Sequence, residues 1–315
     1  MHNNFNGLLL IGDPHLASRI PGFRKDDYME AIFKKLEYSL NYAQEQKLLP
    51  VILGDLFNWP RDNATRLLTR LMRLFDNHLI LSVTGNHDTT EQSLQDDDSL
   101  AVLAAANRIY LLDQNGPWKE TINGIPVVIG GSAWSERIPT SFDNPPDALV
   151  IWISHHNICF SDENSTDFKP QELSGIHLVI NGHIHRPIPQ QVHGMTTWIN
   201  PGNISRVQRS EGTREAAPSV LKLTPLSNRS WFTENILLPH EPFEDVFYPI
   251  NGSLISKDYG GGSAFIQGLE ELESMRTAGG AGLVTFINNN IGLFEKEVAE
   301  VILNLVKEVC PDEFH

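Results

Sequence analysis

Residues 181–187 read Asn-Gly-His-Ile-His-Arg-Pro, which sets His183 and His185 one residue apart directly after the apolar run HLVI. Four other apolar runs end in a similar way. LLLIG is followed by Asp13, Pro14 and His15, and VILG by Asp55. LSVTG is followed by Asn86, His87 and Asp88, and LVIWIS by His155 and His156. Together these groups form a mixed oxygen and nitrogen donor set, which suits Mn²⁺, Fe or Zn²⁺ better than Ca²⁺. A carboxylate can bridge two ions about 3.5–4 Å apart, as two-metal hydrolysis requires. Asp55 is the natural bridge, because its segment lies between the others. Each motif alone has an ordinary reading. Gly-Asp is a common turn, Asp-Pro-His can be an Asx turn, Gly-Asn-His-Asp can be a loop, and His155 and His156 can be hydrogen-bonded core histidines. All five in this order, each after a strand, are much harder to explain as turns.

The elements that must position these groups follow from apolar periodicity. A strand is expected near 7–12, then a helix near 26–47 in which Tyr28, Ile32, Leu36, Leu40 and Ala43 recur at helical spacing. A strand at 50–53 follows, then a helix capped by Asn63 and carrying Leu67, Leu68, Leu71, Met72 and Phe75. A strand at 79–84 completes a βαβαβ pattern, which implies parallel strands with right-handed crossovers. In such sheets ligand sites lie at the carboxyl ends of the strands, so the five segments should converge. The Asn-Gly pair in TINGIPVVIG, residues 121–130, signals a hairpin. Further strands are expected at about 149–153 and 176–180, and mostly β structure from 196 to 238. An α/β first half and a more antiparallel second half fit two sheets with helices outside.

A catalytic domain over 1–238 is therefore expected, with a small α-rich extension over 239–315. LPHEPFEDVFYP reads as a linker. A helix is expected near 264–276, and an amphipathic one at 293–309 with Val298, Ile302, Leu305 and Val306 on one face. The extension could cap the site or dock on a partner.

Bulk properties exclude several classes. The 315 residues are 41% hydrophobic and 20% charged, an ordinary globular composition. Cys159 and Cys310 form no CxxC pair, so a disulfide framework or thiolate zinc site is not expected and a reducing cytoplasmic setting is the default. No run approaches the roughly 18 apolar residues of a membrane span, and the N-terminal stretch lacks the basic region of a signal peptide. The formal charge of −15 argues against a broad basic nucleic-acid surface, so any DNA affinity of the chain alone should be weak and salt-sensitive. His2, His78, His177, His193, His240 and His315 stand in no comparable context and are expected to have structural or surface roles.

In order, the motifs D-x-H, GD, GNHD, a His pair and GHxH resemble the signature of the calcineurin-like metallophosphoesterases. The resemblance covers roughly residues 7–237. It implies a four-layer αββα sandwich around two divalent metal ions, with Mn²⁺ expected. It implies that one ion is held by Asp13, His15, Asp55 and His185. The other is held by Asp55, Asn86, His155 and His183, with His156 as an alternate or supporting residue. His87 then matches the catalytic histidine, Asp88 would orient and charge-tune it, and a hydroxide activated between the metals would be the nucleophile.

Within that family, GDPHL, GDLF, GNHD, GHIHRP and INPGNISR at 199–206 are most similar to DNA-repair exonucleases of the SbcD type. The loop GGSAWSERIP at 130–139 also resembles one seen in family members. On this resemblance Arg186 and Arg206 could meet substrate phosphates, although surface ion pairs are an equal alternative. The chain departs from the protein phosphatases, which follow GD with Val-Asp-Arg-Gly and end GNH with Glu. Lipid A pathway pyrophosphohydrolases share GDLF and H-x-H-R-P but carry Arg in place of His87. Asn58 stands where the family often has Asp. The implied partners are DNA and an SbcC-type ATPase, with homodimer formation open. The alternatives are a small-nucleotide phosphodiesterase or phosphatase, and a binding protein on a decayed enzyme fold. The full ligand set argues against the last.

Overall fold

The structure, a computed structural model, describes residues 4–248 apart from 144, 146, 161–167 and 208. Its first sheet holds β1 (Gly7–Ile11), β2 (Leu48–Ile52), β3 (Leu81–Ser82) and β4 (Tyr110–Leu111), each parallel to the next. On the other side of β1 the antiparallel hairpin β11 (Ser219–Leu226) and β12 (Ser230–Leu237) completes the order β12-β11-β1-β2-β3-β4. The second sheet has the order β5-β6-β7-β8-β10-β9. Its members are β5 (Trp118–Ile122), β6 (Ile125–Ser132), β7 (Leu149–Ser154), β8 (Leu178–Asn181), β9 (Ile188–His193) and β10 (Thr196–Asn200). β6, β7, β8 and β10 run parallel, while β5 and β9 are antiparallel edges.

The two sheets face each other. Leu8, Leu10, Val51, Leu53 and Val83 from the first pack against Ile129, Ile151, Ile153 and Ile180 from the second, all buried. The alternate residues Leu9, Ile11 and Ile52 point outward and are buried as well, against Tyr28, Ile32, Leu36, Leu67, Leu71 and Leu100 of the helices. Burial on both faces is why these strands read as unbroken apolar runs. The helices are α1 (Tyr28–Gln46), α2 (Thr65–Phe75) and α3 (Ser99–Ala105). On the outer face of the second sheet, Val128, Val150, Trp152, Val179 and Trp198 are covered by Ile138, Ile158, Leu173 and Ile176. Among the described residues that outer layer is irregular chain rather than helix. The α/β sandwich expected from the sequence is present.

Two local expectations differ. α1 is capped by Asp27, whose side chain accepts the Glu30 N–H at 3.2 Å. α2 has no side-chain cap. Asn63 instead donates to the Trp59 carbonyl at 2.7 Å and to Ser99 Oγ at 3.0 Å, fastening α2 to α3. The segment read as a linker is also attached. α6 (Phe243–Val246) leads to a buried Phe247, and Lys25 N–H donates to the Val246 carbonyl at 2.9 Å. The remainder of the expected extension, including both of its helices, lies outside the described residues. The other short helices are α4 (Leu112–Asn115) and α5 (Glu211–Glu215).

Candidate metal centre

The chain turns sharply after three of the strands that supply candidate ligands, β1, β2 and β8. Asp13, His15, Asp55 and His183 all have left-handed backbone, with φ of 36°, 47°, 48° and 65°. For residues with a Cβ this costs of order 1 kcal/mol or more, and it persists only where the surroundings enforce it. The enforcing contacts are mostly backbone. His15 N–H donates to the Asp55 carbonyl at 2.9 Å, and Leu16 N–H to Leu56 at 2.8 Å, which locks the first two loops together. Tyr28 Oη donates to the His15 carbonyl at 2.8 Å. Asn203 N–H donates to the His185 carbonyl at 3.1 Å and Ile204 N–H to the Gly12 carbonyl at 2.9 Å. Residues 203 and 204 thus tie the His183–His185 loop to the Asp13 loop.

Behind this tie stand two buried basic side chains. Lys35 Nζ donates to the Ile204 carbonyl at 2.6 Å, and Arg24 forks the Ser205 and Arg206 carbonyls at 2.8 and 2.9 Å. Two buried amides hold the last strand ends. Asn181 accepts from the His156 N–H and donates to Asn200 Oδ1, and Asn200 donates to the Ile184 and Arg186 carbonyls. A Cβ on Gly182 would overlap the Leu53 carbonyl and crowd His155 Nδ1, so only glycine lets the loop approach.

Donor atoms converge in three groups, each spanning no more than 4.8 Å: Asp13, His15 and His185; Asp55, His155 and His183; and His15, Asp55 and His87. His15 Nε2 lies 3.1 Å from His185 Nε2, and His185 Nε2 lies 3.8 Å from Asp13 Oδ2. Asn86 Oδ1 lies 3.2 Å from His155 Nε2 and 3.0 Å from His183 Nδ1, which adds an amide oxygen to the second group. Asp55 joins the groups. Its Oδ1 accepts the His87 backbone N–H at 2.8 Å. Its Oδ2 lies 3.5 Å from His15 Nε2 and 3.2 Å from His155 Nε2, so one oxygen faces both sets.

These residues fit divalent cations. Both carboxylate oxygens of Asp13, Oδ2 of Asp55 and Nδ1 of His15 are buried without a hydrogen-bond partner. Unpartnered buried carboxylate oxygens are costly, and metal coordination is one of the few ways to satisfy them. Imidazole nitrogens as close as those of His15 and His185 match neighbouring positions around an ion with metal–nitrogen bonds of about 2.1 Å.

Electrostatics agree. Burial pushes the Asp13 carboxyl up to about 8, with Asp55 and Asp88 adding to the shift against His155. Burial holds His15 and His183 well below the usual imidazole range and lowers His185 to about 4, so all three stand as neutral potential ligands. Burial also opposes charge on Asp55 and His155, but their mutual attraction outweighs it. Asp55 is held well below the carboxylate range and His155 is raised to about 10. A bound cation would take over the role His155 plays here. His155 is oriented by its Nδ1–H, which donates to the Leu53 carbonyl at 2.7 Å and leaves Nε2 facing Asp55 and Asn86.

Three expected site residues, Asp88, His156 and Arg206, are placed differently. Asp88 does not touch the His87 ring. It is buried, and its carboxylate accepts the backbone N–H groups of Phe57 at 3.0 Å, Gly85 at 3.1 Å and Leu56 at 3.3 Å. It braces two loops and is a positioning residue. The His87 ring is oriented instead by its Nδ1–H, which donates to the Asn58 carbonyl at 3.0 Å. His156 belongs to none of the three donor groups, and its Nε2–H donates to the Glu136 carbonyl at 2.6 Å. Arg206 is buried and donates to the Glu241 and Ala216 carbonyls at 3.0 and 3.2 Å, so it holds chain together instead of reaching toward a phosphate. Arg186 is exposed, beside His185 in sequence. Trp134, whose ring lies 4.9 Å from that of His183, was not singled out from the sequence.

No helix among the described residues is long and apolar enough to cross a membrane. No curated protein matches the sequence. Among solved structures, the chain is similar to a 5'-nucleotidase precursor from Thermus thermophilus. The identity is 12% and the TM-score 0.40, over 73% of this chain and 54% of that one, so this chain spans about half of that protein's length. It is also similar to a hypothetical protein from the same organism at 12% identity and a TM-score of 0.41, over 74% of this chain and 99% of that one. The model of the calcineurin-like phosphoesterase family matches residues 8–187, more than half of the chain. The chain belongs to the calcineurin-like phosphoesterase family, whose activity is metal-dependent hydrolysis of phosphoesters.

Proposed function

We propose that the chain is a phosphodiesterase working with two divalent ions, Mn²⁺ foremost, and that its substrate is DNA, as in nucleases of the SbcD type. The observation that carries the two-ion reading is Asp55, whose buried Oδ2 faces both ligand groups at once. Asp13, His15, Asp55 and His185 would hold one ion, and Asp55, Asn86, His155 and His183 the other. Ions held there polarise phosphoryl oxygens and make water a usable nucleophile near neutral pH.

The chain's own residues supply the rest. His87 keeps Nδ1–H on the Asn58 carbonyl, which fixes the ring, so that in its imidazolium form Nε2–H would be the proton passed to the leaving oxygen. Its ring stands edge-on to that of His15, with centroids 4.8 Å apart, close enough to reach a phosphate held by the same cluster. Asp88 holds the Asp55 and His87 loops in register through three amides. The choice of DNA is supported by the ordered motifs that end in INPGNISR. An SbcC-type ATPase would supply the DNA affinity that an acidic chain lacks.

A formal charge of −15 favours a second reading, a phosphodiesterase for small nucleotides, which needs no extended basic surface. The test is Mn²⁺-dependent hydrolysis of labelled single- and double-stranded DNA beside cyclic and linear small nucleotides, with His87→Ala as control. DNA cleavage lost in the variant, with metal content retained, supports the nuclease. Small-nucleotide turnover with intact DNA moves the chain to the second reading. Full activity of His87→Ala removes the proposed role of His87.

A further inference from the structure

All six tryptophans lie within the described residues, and five pack into a core: Trp59, Trp118, Trp152, Trp198 and Trp231. Trp134 packs into none of the three. It is half-buried in the loop after β6, at the rim of the candidate metal centre. One face lies against His183, with ring centroids 4.9 Å apart and planes tilted by 38°. A large aromatic kept out of the core beside a polar cluster forgoes burial that other sites could give it.

The loop that presents this ring is fixed at several points. Trp134 N–H donates to the Thr84 carbonyl at 3.0 Å, two residues before Asn86. Ala133 N–H donates to Glu136 Oε2 at 3.1 Å, and Ser132 Oγ to the Arg137 carbonyl at 3.2 Å. His156 Nε2–H donates to the Glu136 carbonyl at 2.6 Å, and Ile138 is buried in the outer core. The second histidine of the 155–156 pair therefore has a task of its own: it pins the tryptophan loop, while His155 faces the metal ligands. Trp134 is thus a preorganised ring beside the place where a phosphate would be held, with the exposed Arg137 in the same loop.

We propose that Trp134 is a specificity-determining platform on which an unpaired nucleobase next to the scissile phosphate stacks. Its substrates are then phosphodiesters that carry a base, in single-stranded nucleic acid or in a small nucleotide. This rests on the reading of the site as a metal-dependent phosphodiesterase. Base–aromatic stacking is sequence-tolerant and needs no basic groove, so it suits an acidic chain.

The test compares wild type, Trp134→Leu and Trp134→Phe with Mn²⁺. The substrates are a single-stranded thymidine oligomer, a thymidine dinucleotide, and an oligomer of the same length built from abasic deoxyribose. Trp134→Leu should raise KM for the thymidine substrates about tenfold or more, with kcat within about twofold, the range expected of one stacking contact. The abasic oligomer should lose that discrimination, and Trp134→Phe should restore most of it. Bound metal should match wild type. A KM effect on the oligomer alone assigns the base to single-stranded nucleic acid, and an equal effect on the dinucleotide assigns it to small nucleotides. Equal losses on thymidine and abasic oligomers, or lost metal, would mean that the ring only supports His183 and would overturn the proposal, as would an unchanged KM. A wild-type protein that cleaves none of the three overturns the nucleic-acid and nucleotide phosphodiesterase reading, and this inference with it.

Discussion

Asp88 separates two accounts of the site that differ in what they measure. If it tuned His87, its loss would shift the pH dependence of turnover and leave stability nearly unchanged. The structure gives the opposite expectation, because the carboxylate meets three backbone amides and no imidazole. Asp88→Ala leaves the N–H groups of Leu56, Phe57 and Gly85 without their acceptor in a fully buried place. Each orphaned buried donor costs about 1–3 kcal/mol, and the three share one acceptor, so about 4 kcal/mol in total is expected. In a domain of this size that is a fall of roughly 10 °C in Tm. Asp88→Asn keeps one oxygen, enough for Leu56 and Gly85 on the Oδ2 side, but turns an NH₂ toward the Phe57 N–H. It should lose about half as much. The assay is thermal unfolding followed by circular dichroism for both variants, paired with kcat/KM profiles from pH 5 to 9. The reasoning is refuted if Asp88→Ala melts within about 2 °C of wild type, or if Asp88→Asn keeps its stability while the pH profile moves.

Two further outcomes follow from the same geometry. Asp55→Asn keeps an oxygen for the His87 N–H but removes the anionic atom that faces both ligand groups, so metal affinity should fall more than tenfold in equilibrium dialysis; unchanged stoichiometry and affinity would remove Asp55 as the bridge. Lys35 is lowered from 10.5 to about 7 by burial, with Arg24 and Arg206 adding to the shift. Between those values the unfolded chain holds a proton that the folded chain has released, so this group's contribution to stability is full above pH 10.5 and is lost as pH falls toward 7. Its limit is roughly 5 kcal/mol. Urea midpoints of wild type should therefore gain on those of Lys35→Met from pH 7 to 10, and parallel curves would refute the assignment.

Most of the ligand set was legible because the sequence writes it in types. Asp13, His15, Asp55, Asn86, His155, His183 and His185 are chemically distinctive, and each follows an apolar run whose burial on both faces makes it a strand. Parallel pairing of β1, β2 and β3, and of β6, β7 and β8, then brings the strand ends together. What the sequence could not give is the partner of each polar group, because so many partners are main-chain carbonyls and amides. His155 on Leu53, His87 on Asn58 and His156 on Glu136 use acceptors that every residue carries. The family resemblance paired Asp88 with its neighbour His87 and offered Arg206 either a phosphate or a surface ion pair. In the fold both found backbone. The same holds for Arg24 and Lys35, which drew no notice as sequence and yet fasten three successive carbonyls, at 204, 205 and 206, beneath the loop that joins Gly12 to His185. A site assembled from five chain segments needs such fasteners. They hold the strained ligand backbones at Asp13, His15 and His183 where relaxed loops would let the donor atoms drift apart, and that need is set by the third dimension alone.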